Sequence, residues 1–106
     1  MNINGNFVRP IGQVVTGRVK IGKTPTEVSV TKGRQWVDRH TILVALPASS
    51  PAAAVYFGGK DVTVGTGFPI EAGNGQIFPL NNQAGVGRVW MVADKPCEVM
   101  VAEFTE

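Results

Sequence analysis

The sequence predicts an all-β chain, an antiparallel β-sandwich or jelly roll with an extended N-terminal arm, and three observations carry that expectation. Sixteen Val and six Ile stand against three Leu, and β-branched side chains suit a pleated surface better than a helix. Thirteen Gly and seven Pro punctuate the chain at short intervals. Between them lie eight or nine short runs of strand-like pattern, spaced 8 to 12 residues apart, with no helical segment of 10 residues, the pattern of a sandwich. At 106 residues the chain has room for one domain, divided here into an arm over residues 1–13 and a sandwich over 14–106.

The arm is rich in Asn and Gly, with Phe7 and Val8 its one adjacent bulky pair. From Val14 the pattern has period two: Val15, Val19 and Ile21 face one way, Thr16, Arg18 and Lys20 the other, as a half-buried strand requires. Residues 22–25 end it. Residues 27–31 alternate again, with Val28 and Val30 inward, and residues 32–34 turn the chain toward Trp36 and Val37. The run 40–46 (HTILVAL) is apolar on both faces, which suits a central strand covered on both sides or one whose outer face meets a partner. Further strands are expected over 53–57, 61–64, 68–70 and 76–80, with Asn74-Gly75 supplying positive φ between the last two. The runs 88–93 (RVWMVA) and 98–104 (EVMVAEF) are joined by a short loop containing Pro96 and read as an antiparallel hairpin.

Residues 17–24 match the phosphate-loop pattern, with Gly17, Gly22, Lys23 and Thr24 at the required positions. A phosphate loop must open a helix whose amides cradle the anion; this stretch alternates like a strand and runs into Pro25, so a strand ending in a turn is expected. His40 at the head of the most apolar strand reads as a core or strand-end histidine, and one histidine with the single Cys97 does not compose a catalytic dyad with an orienting third group. The acids Asp61, Glu71, Asp94 and Glu98 lie in or beside loops without calcium-loop spacing. No metal, cofactor or enzymatic activity is expected.

The net charge of +2 is too small to imply nucleic-acid binding. It hides an asymmetry: residues 1–40 carry a balance of +5 and residues 41–106 one of −3, which in one domain can give a face affinity for an acidic surface. The longest clean apolar run, residues 42–46, is too short to cross a bilayer. No targeting pattern opens the chain, and the lone Cys97 excludes an internal disulfide, so synthesis in a reducing cytoplasm is expected.

Residues 55–63 (VYFGGKDVT), then Gly67-Phe-Pro-Ile70, a Gly-containing loop, the apolar run 88–93 and a last Val-rich strand resemble small structural proteins of tailed bacteriophages and prophages. Those share an aromatic strand, Gly-Gly-x-Asp-Val-Thr, a Gly-x-Pro-Leu/Ile turn and two closing apolar strands. The resemblance covers about residues 40–104. This chain departs from it in the longer insertion over 81–87 and in Lys60, where the pattern has Ser. The resemblance implies a jelly-roll-like sandwich that decorates or cements a capsid, or forms part of a head fibre or tail.

On that footing the chain is expected on the virion, at the capsid surface after synthesis in the bacterial host cytoplasm. There it would bind the major capsid protein and its own copies, as a homotrimer rather than a dimer. The partner interface is expected at Phe7, Arg9, Arg18, Lys20, Trp36, Arg39 and Trp90, with Met91 a further anchor, since Trp, Met and Arg are enriched at interface cores. The alternative is a head-fibre or tail-tip component whose jelly roll binds a host glycan, with Tyr56, Phe57, Phe68 and Trp90 as stacking platforms.

Overall fold

The computed structural model describes residues 12–80 and 87–106; the expected arm, apart from Gly12 and Gln13, lies outside them. Eight strands and one short helix follow in the order β1 (Gln13–Ile21), β2 (Thr26–Glu27), α1 (Gly33–Asp38), β3 (Arg39–Ala45), β4 (Ala54–Gly58), β5 (Phe68–Glu71), β6 (Gly75–Pro79), β7 (Trp90–Val92) and β8 (Cys97–Thr105). They form two four-stranded sheets, ordered β1-β8-β3-β6 and β2-β7-β4-β5. Every pairing is antiparallel, so the all-β expectation holds.

The pairing has a simple rule: first with eighth, second with seventh, third with sixth, fourth with fifth. Two further pairings, β3 with β8 and β4 with β7, join these pairs sideways into sheets. Between the sheets lie Ile21, Val28, Ile42, Val44, Leu46, Val55, Ile70, Met91, Val99 and Val101, with Phe57 and Phe78 packed against them. Each such aliphatic side chain, fully buried, contributes roughly 1.5–3 kcal/mol. The rings of Phe57 and Phe78 meet edge to face at 4.8 Å, the arrangement aromatic quadrupoles favour.

Several local expectations are corrected. The runs ending the chain are not a hairpin: β7 lies between β2 and β4, β8 between β1 and β3. Their loop crosses from one sheet to the other because each strand faces the core from its own side: Met91 from one sheet, Val99 and Val101 from the other. Residues 61–64 form turns rather than a strand, pinned by Thr63, whose carbonyl accepts from the Gly67 amide at 2.8 Å. The strand expected over 27–31 shrinks to Thr26–Glu27, although Val28 is buried as foreseen. Residues 33–38 form a helical turn where only a change of direction was expected, and the positive φ between β5 and β6 is at Gly73, φ 90°. Residues 17–21 of the phosphate-loop match lie in β1 and no helix follows them directly.

Candidate functional site

Side chains on a strand alternate between faces, so the register fixes what the first sheet shows to solvent. Inward on β8 are Cys97, Val99, Val101, Glu103 and Thr105, all buried. Outward are Glu98, Met100, Ala102 and Phe104. Carried across the sheet, the register sets Val14, Phe104, Thr41 and Pro79 in one row and Thr16, Ala102, Leu43 and Ile77 in the next. A third row holds Arg18, Met100, Ala45 and Gly75, and Lys20 stands opposite Glu98 at the end. Val14 is 50% exposed, Leu43 37%, Ile77 59% and Met100 40%.

An antiparallel sheet with one wet face normally alternates apolar inside with polar outside. Here the outer face is largely apolar over β8, β3 and β6, whereas β1 adds Val14, Thr16, Arg18 and Lys20; charge is confined to one corner, where Arg18 lies 3.8 Å from Glu98 beside Lys20. A groove of about 430 Å³ lies over Gly17, Ala45 and Ala102 between Leu43 and Met100. It shares Arg18 with a second groove of about 490 Å³ under Lys20, Pro47, Ser50 and Pro96.

The second sheet is different. On β7 the neighbours Met91 and Val92 point to opposite faces yet are both buried, so the chain's own segments cover part of its outer side. Val62 folds back there: a Cβ on Gly58 would come within 2.9 Å of the Val62 Cγ2, and one on Gly67 within 2.6 Å of the Tyr56 Cβ. Gly58 and Gly67 therefore let that loop lie flat on the sheet.

Of the residues expected at a partner interface, Arg18 and Lys20 stand on this outer face and line its grooves. Phe7 and Arg9 lie outside the described residues. Trp90 is half-buried on β7, opposite Glu27 and Gly58. Met91 is fully buried core and is no anchor. Trp36, half-buried on α1, has two guanidinium groups near its ring, Arg39 at 4.4 Å and Arg88 at 5.2 Å from its centre, the geometry of a cation–π contact.

Arg39 is corrected outright as a surface cation: it is fully buried and donates through Nη1 to Glu103 Oε2 at 2.6 Å, with Glu103 equally buried. Its Nη2 donates to the Gly87 carbonyl and lies 3.9 Å from Glu27. The cause is a register shift between Arg39 and Thr41. Without that bulge Ile42 and Val44 would place residue 40 inside and residue 39 outside; the extra residue swings Arg39 inward. His40 is buried with Nδ1 2.9 Å from Thr41 Oγ1.

The basic first half does not gather on one face. Lys23 lies in the turn after β1, whereas Lys32 caps α1 beside the start of β1, where Gln35 donates to Gln13. Arg34 is paired with Asp38 on α1 at 3.6 Å. Nor do the four aromatics of the glycan reading converge: Phe57 turns inward against Phe78 and meets Phe68 edge to face, whereas Tyr56, its neighbour on β4, points to the other side.

The apolar outer face was missed as a set. The signal for it was present in HTILVAL, whose second apolar side, Leu43 and Ala45, now sits at its centre. Comparison with known proteins adds no assignment: no family model, curated protein or solved structure matches this chain.

Proposed function

We propose that this chain is a bacteriophage virion structural protein, a jelly-roll decoration or cement protein that binds the outer capsid shell and stabilises contacts between major capsid proteins. The observation that carries the reading is the outer face of the first sheet, largely apolar over β8, β3 and β6 with charge only at one corner. Contiguous exposed apolar surface marks association rather than catalysis, and a cement protein acts by burial and charge matching. The jelly-roll assignment is supported by the strand pairing, first with eighth through fourth with fifth: a long two-stranded ribbon rolled around a core gives that order. Support also comes from the resemblance motif, whose Gly58 and Gly67 have a physical role in laying the 59–67 loop on the second sheet.

Cryo-electron microscopy of particles made with and without this chain tests the reading. Density for it is expected in many symmetric copies over the head. Exposed charge pairs are screened beyond about 8–10 Å at physiological ionic strength. Occupancy is therefore expected to fall with added salt to the extent that Arg18 and Lys20 meet acidic shell surface. Density confined to a fibre or tail tip would replace the decoration role with host-surface binding, and a particle without the chain would overturn the virion reading.

A further inference from the structure

We infer that the groove at the end of the sandwich, where β1 stops and β8 begins, seats an extended acidic segment of a partner protein. One carboxylate of that segment lies on Lys20 and Arg18, and the apolar side chain next to it lies on Pro47, Pro51 and Pro96. This deepens the virion reading and rests on it in one respect, that the partner is then the major capsid protein. The preference of the groove itself does not depend on that reading.

The groove, of about 490 Å³, is built by the end of β1, the turn after β3 and the start of β8. Its lining is mostly apolar: Ile21 and three of the chain's seven prolines, each with φ fixed by its ring. The frame around it is tied at several points. The Ser50 amide donates to the Pro47 carbonyl at 3.0 Å, the Leu46 amide to the Asn74 carbonyl at 3.0 Å and the Ala93 amide to the Gly22 carbonyl at 2.8 Å. A hollow held in this way is formed before anything enters it, so little ordering opposes binding.

The polar groups decide between a small ligand and a macromolecule. Small-molecule sites aim a few convergent polar groups into an enclosed apolar cavity. Here the Ser50 hydroxyl is already taken by the Ala52 amide at 3.2 Å and by the Cys97 thiol, and the charges stand at the rim, Arg18 61% and Glu98 43% exposed. An apolar centre with an exposed charged rim is the anatomy of a protein interface. Charge sets the partner's sign. Arg18 faces Glu98 at 3.8 Å, whereas Lys20, although opposite Glu98 in the register, makes no ion pair among the described residues. One unmatched cation beside a carboxylate suits a single Asp or Glu of an incoming chain; a nucleic acid would set a row of phosphates against Glu98 and find too few cations.

Nitrogen–proton correlation spectra of the isotope-labelled full chain, titrated with three peptide mixtures, test this. The first mixture holds hexapeptides with one Asp or Glu beside one Leu, Val or Phe in a Gly/Ser background. The second has Lys in place of the acid, and the third keeps the acid but has Gly in place of the apolar residue. With the first mixture at about 2 mM, enough to fill most of a site whose Kd is about 1 mM, amide shifts are expected at residues 18–22, 47–51 and 96–98. The third should bind about tenfold more weakly or worse, for want of one buried aliphatic side chain, and the second should not bind. Lys20→Glu should weaken the first mixture about fivefold or more, a charge pair being lost and a repulsion gained, and should admit the second, with amides away from the groove unmoved. No shifts, shifts elsewhere, or equal binding of the first two mixtures would overturn the inference. Particles assembled with Lys20→Glu separate it from the virion reading. Lost occupancy supports the shell as the partner, whereas full occupancy would overturn that assignment and leave the virion reading standing. Peptide binding by a chain that is absent from particles would overturn the virion reading, and the shell as partner with it, but not the groove's preference for acid.

Discussion

Glu103 is held by four donors: Ser29 Oγ at 3.1 Å, the Val30 and Thr31 amides at 2.7 and 2.8 Å, and Arg39 at 2.6 Å. One buried carboxylate thus fixes the crossover from β2 to α1, whose amides have no strand partner there, and fastens it to β8 and β3. Among the described residues neither Arg39 Nε nor Glu27 Oε2 has a hydrogen-bond partner, so the cluster is a tie between elements that stores little surplus. Removing one member should be costly, because the other charge stays buried: Arg39→Met should lose about 3–5 kcal/mol in a urea titration. Adding Glu103→Leu should not recover the loss, since the Val30 and Thr31 amides are then unpaired at about 1–3 kcal/mol each. A cost under about 1 kcal/mol for the single variant would show that the pair is dispensable. The sequence did signal half of this: Glu103 sits at an inward position of a regular alternation and needs a partner. The other half was hidden, because nothing in the local pattern announces the bulge that turns Arg39 inside. Cys97 gives a second test at this scale. Burial pushes its thiol above the ordinary range, with a Ser50 hydrogen bond opposing the rise and Asp94 adding to it. An unfolded cysteine ionises near pH 8.5, so the stability held by the neutral buried thiol is complete below that pH and declines above it. The fall in the urea midpoint from pH 7 to pH 10 should be steeper for the natural chain than for Cys97→Ala.

Among the elements, the pass over the second sheet between β4 and β5 is the most constrained. Val62 is nearly fully buried there only because residue 58 has no side chain: a Cβ would meet Val62 Cγ2 at 2.9 Å and its Cβ at 3.2 Å. Gly58→Ala should cost about 1–3 kcal/mol, the usual penalty of overpacking. Val62→Ala should absorb most of that, giving a coupling energy of about 0.5–3 kcal/mol in a double-mutant cycle. Additive losses would mean that the two positions do not touch. The glycines were legible as turn residues, but their second use, close approach of one segment to another, depends on contacts that no local pattern contains. The same limit explains β7 and β8. Their apolar runs and short loop suit a hairpin. What decides their partners is competition: β8 pairs over its whole length with β1, from the other end of the chain, which leaves β7 to close the opposite sheet.

For the whole molecule the decisive feature is that the first strand lies beside the last. Gly12 donates to the Thr105 carbonyl at 2.7 Å, so the start of β1 and the end of β8 are neighbours although almost the whole described chain separates them. That separation makes this edge pairing of the first sheet the most distant in sequence, and loop closure must be completed before its contacts reward it. Joining residue 106 to residue 12 through a short Gly-rich linker, and opening the chain in the exposed turn at residues 94–95, converts β8 and β1 into a local hairpin without moving either. The permuted chain should keep the native circular dichroism spectrum, because the opened turn carries no side chain of the core. Its refolding in stopped-flow fluorescence should be faster, by about tenfold or more given how steeply rate follows sequence separation, with its unfolding rate little changed. That asymmetry belongs to a pairing already formed at the folding barrier. Unaltered refolding with faster unfolding would instead mean that β1 docks late, onto a sheet assembled from β8, β3 and β6 alone.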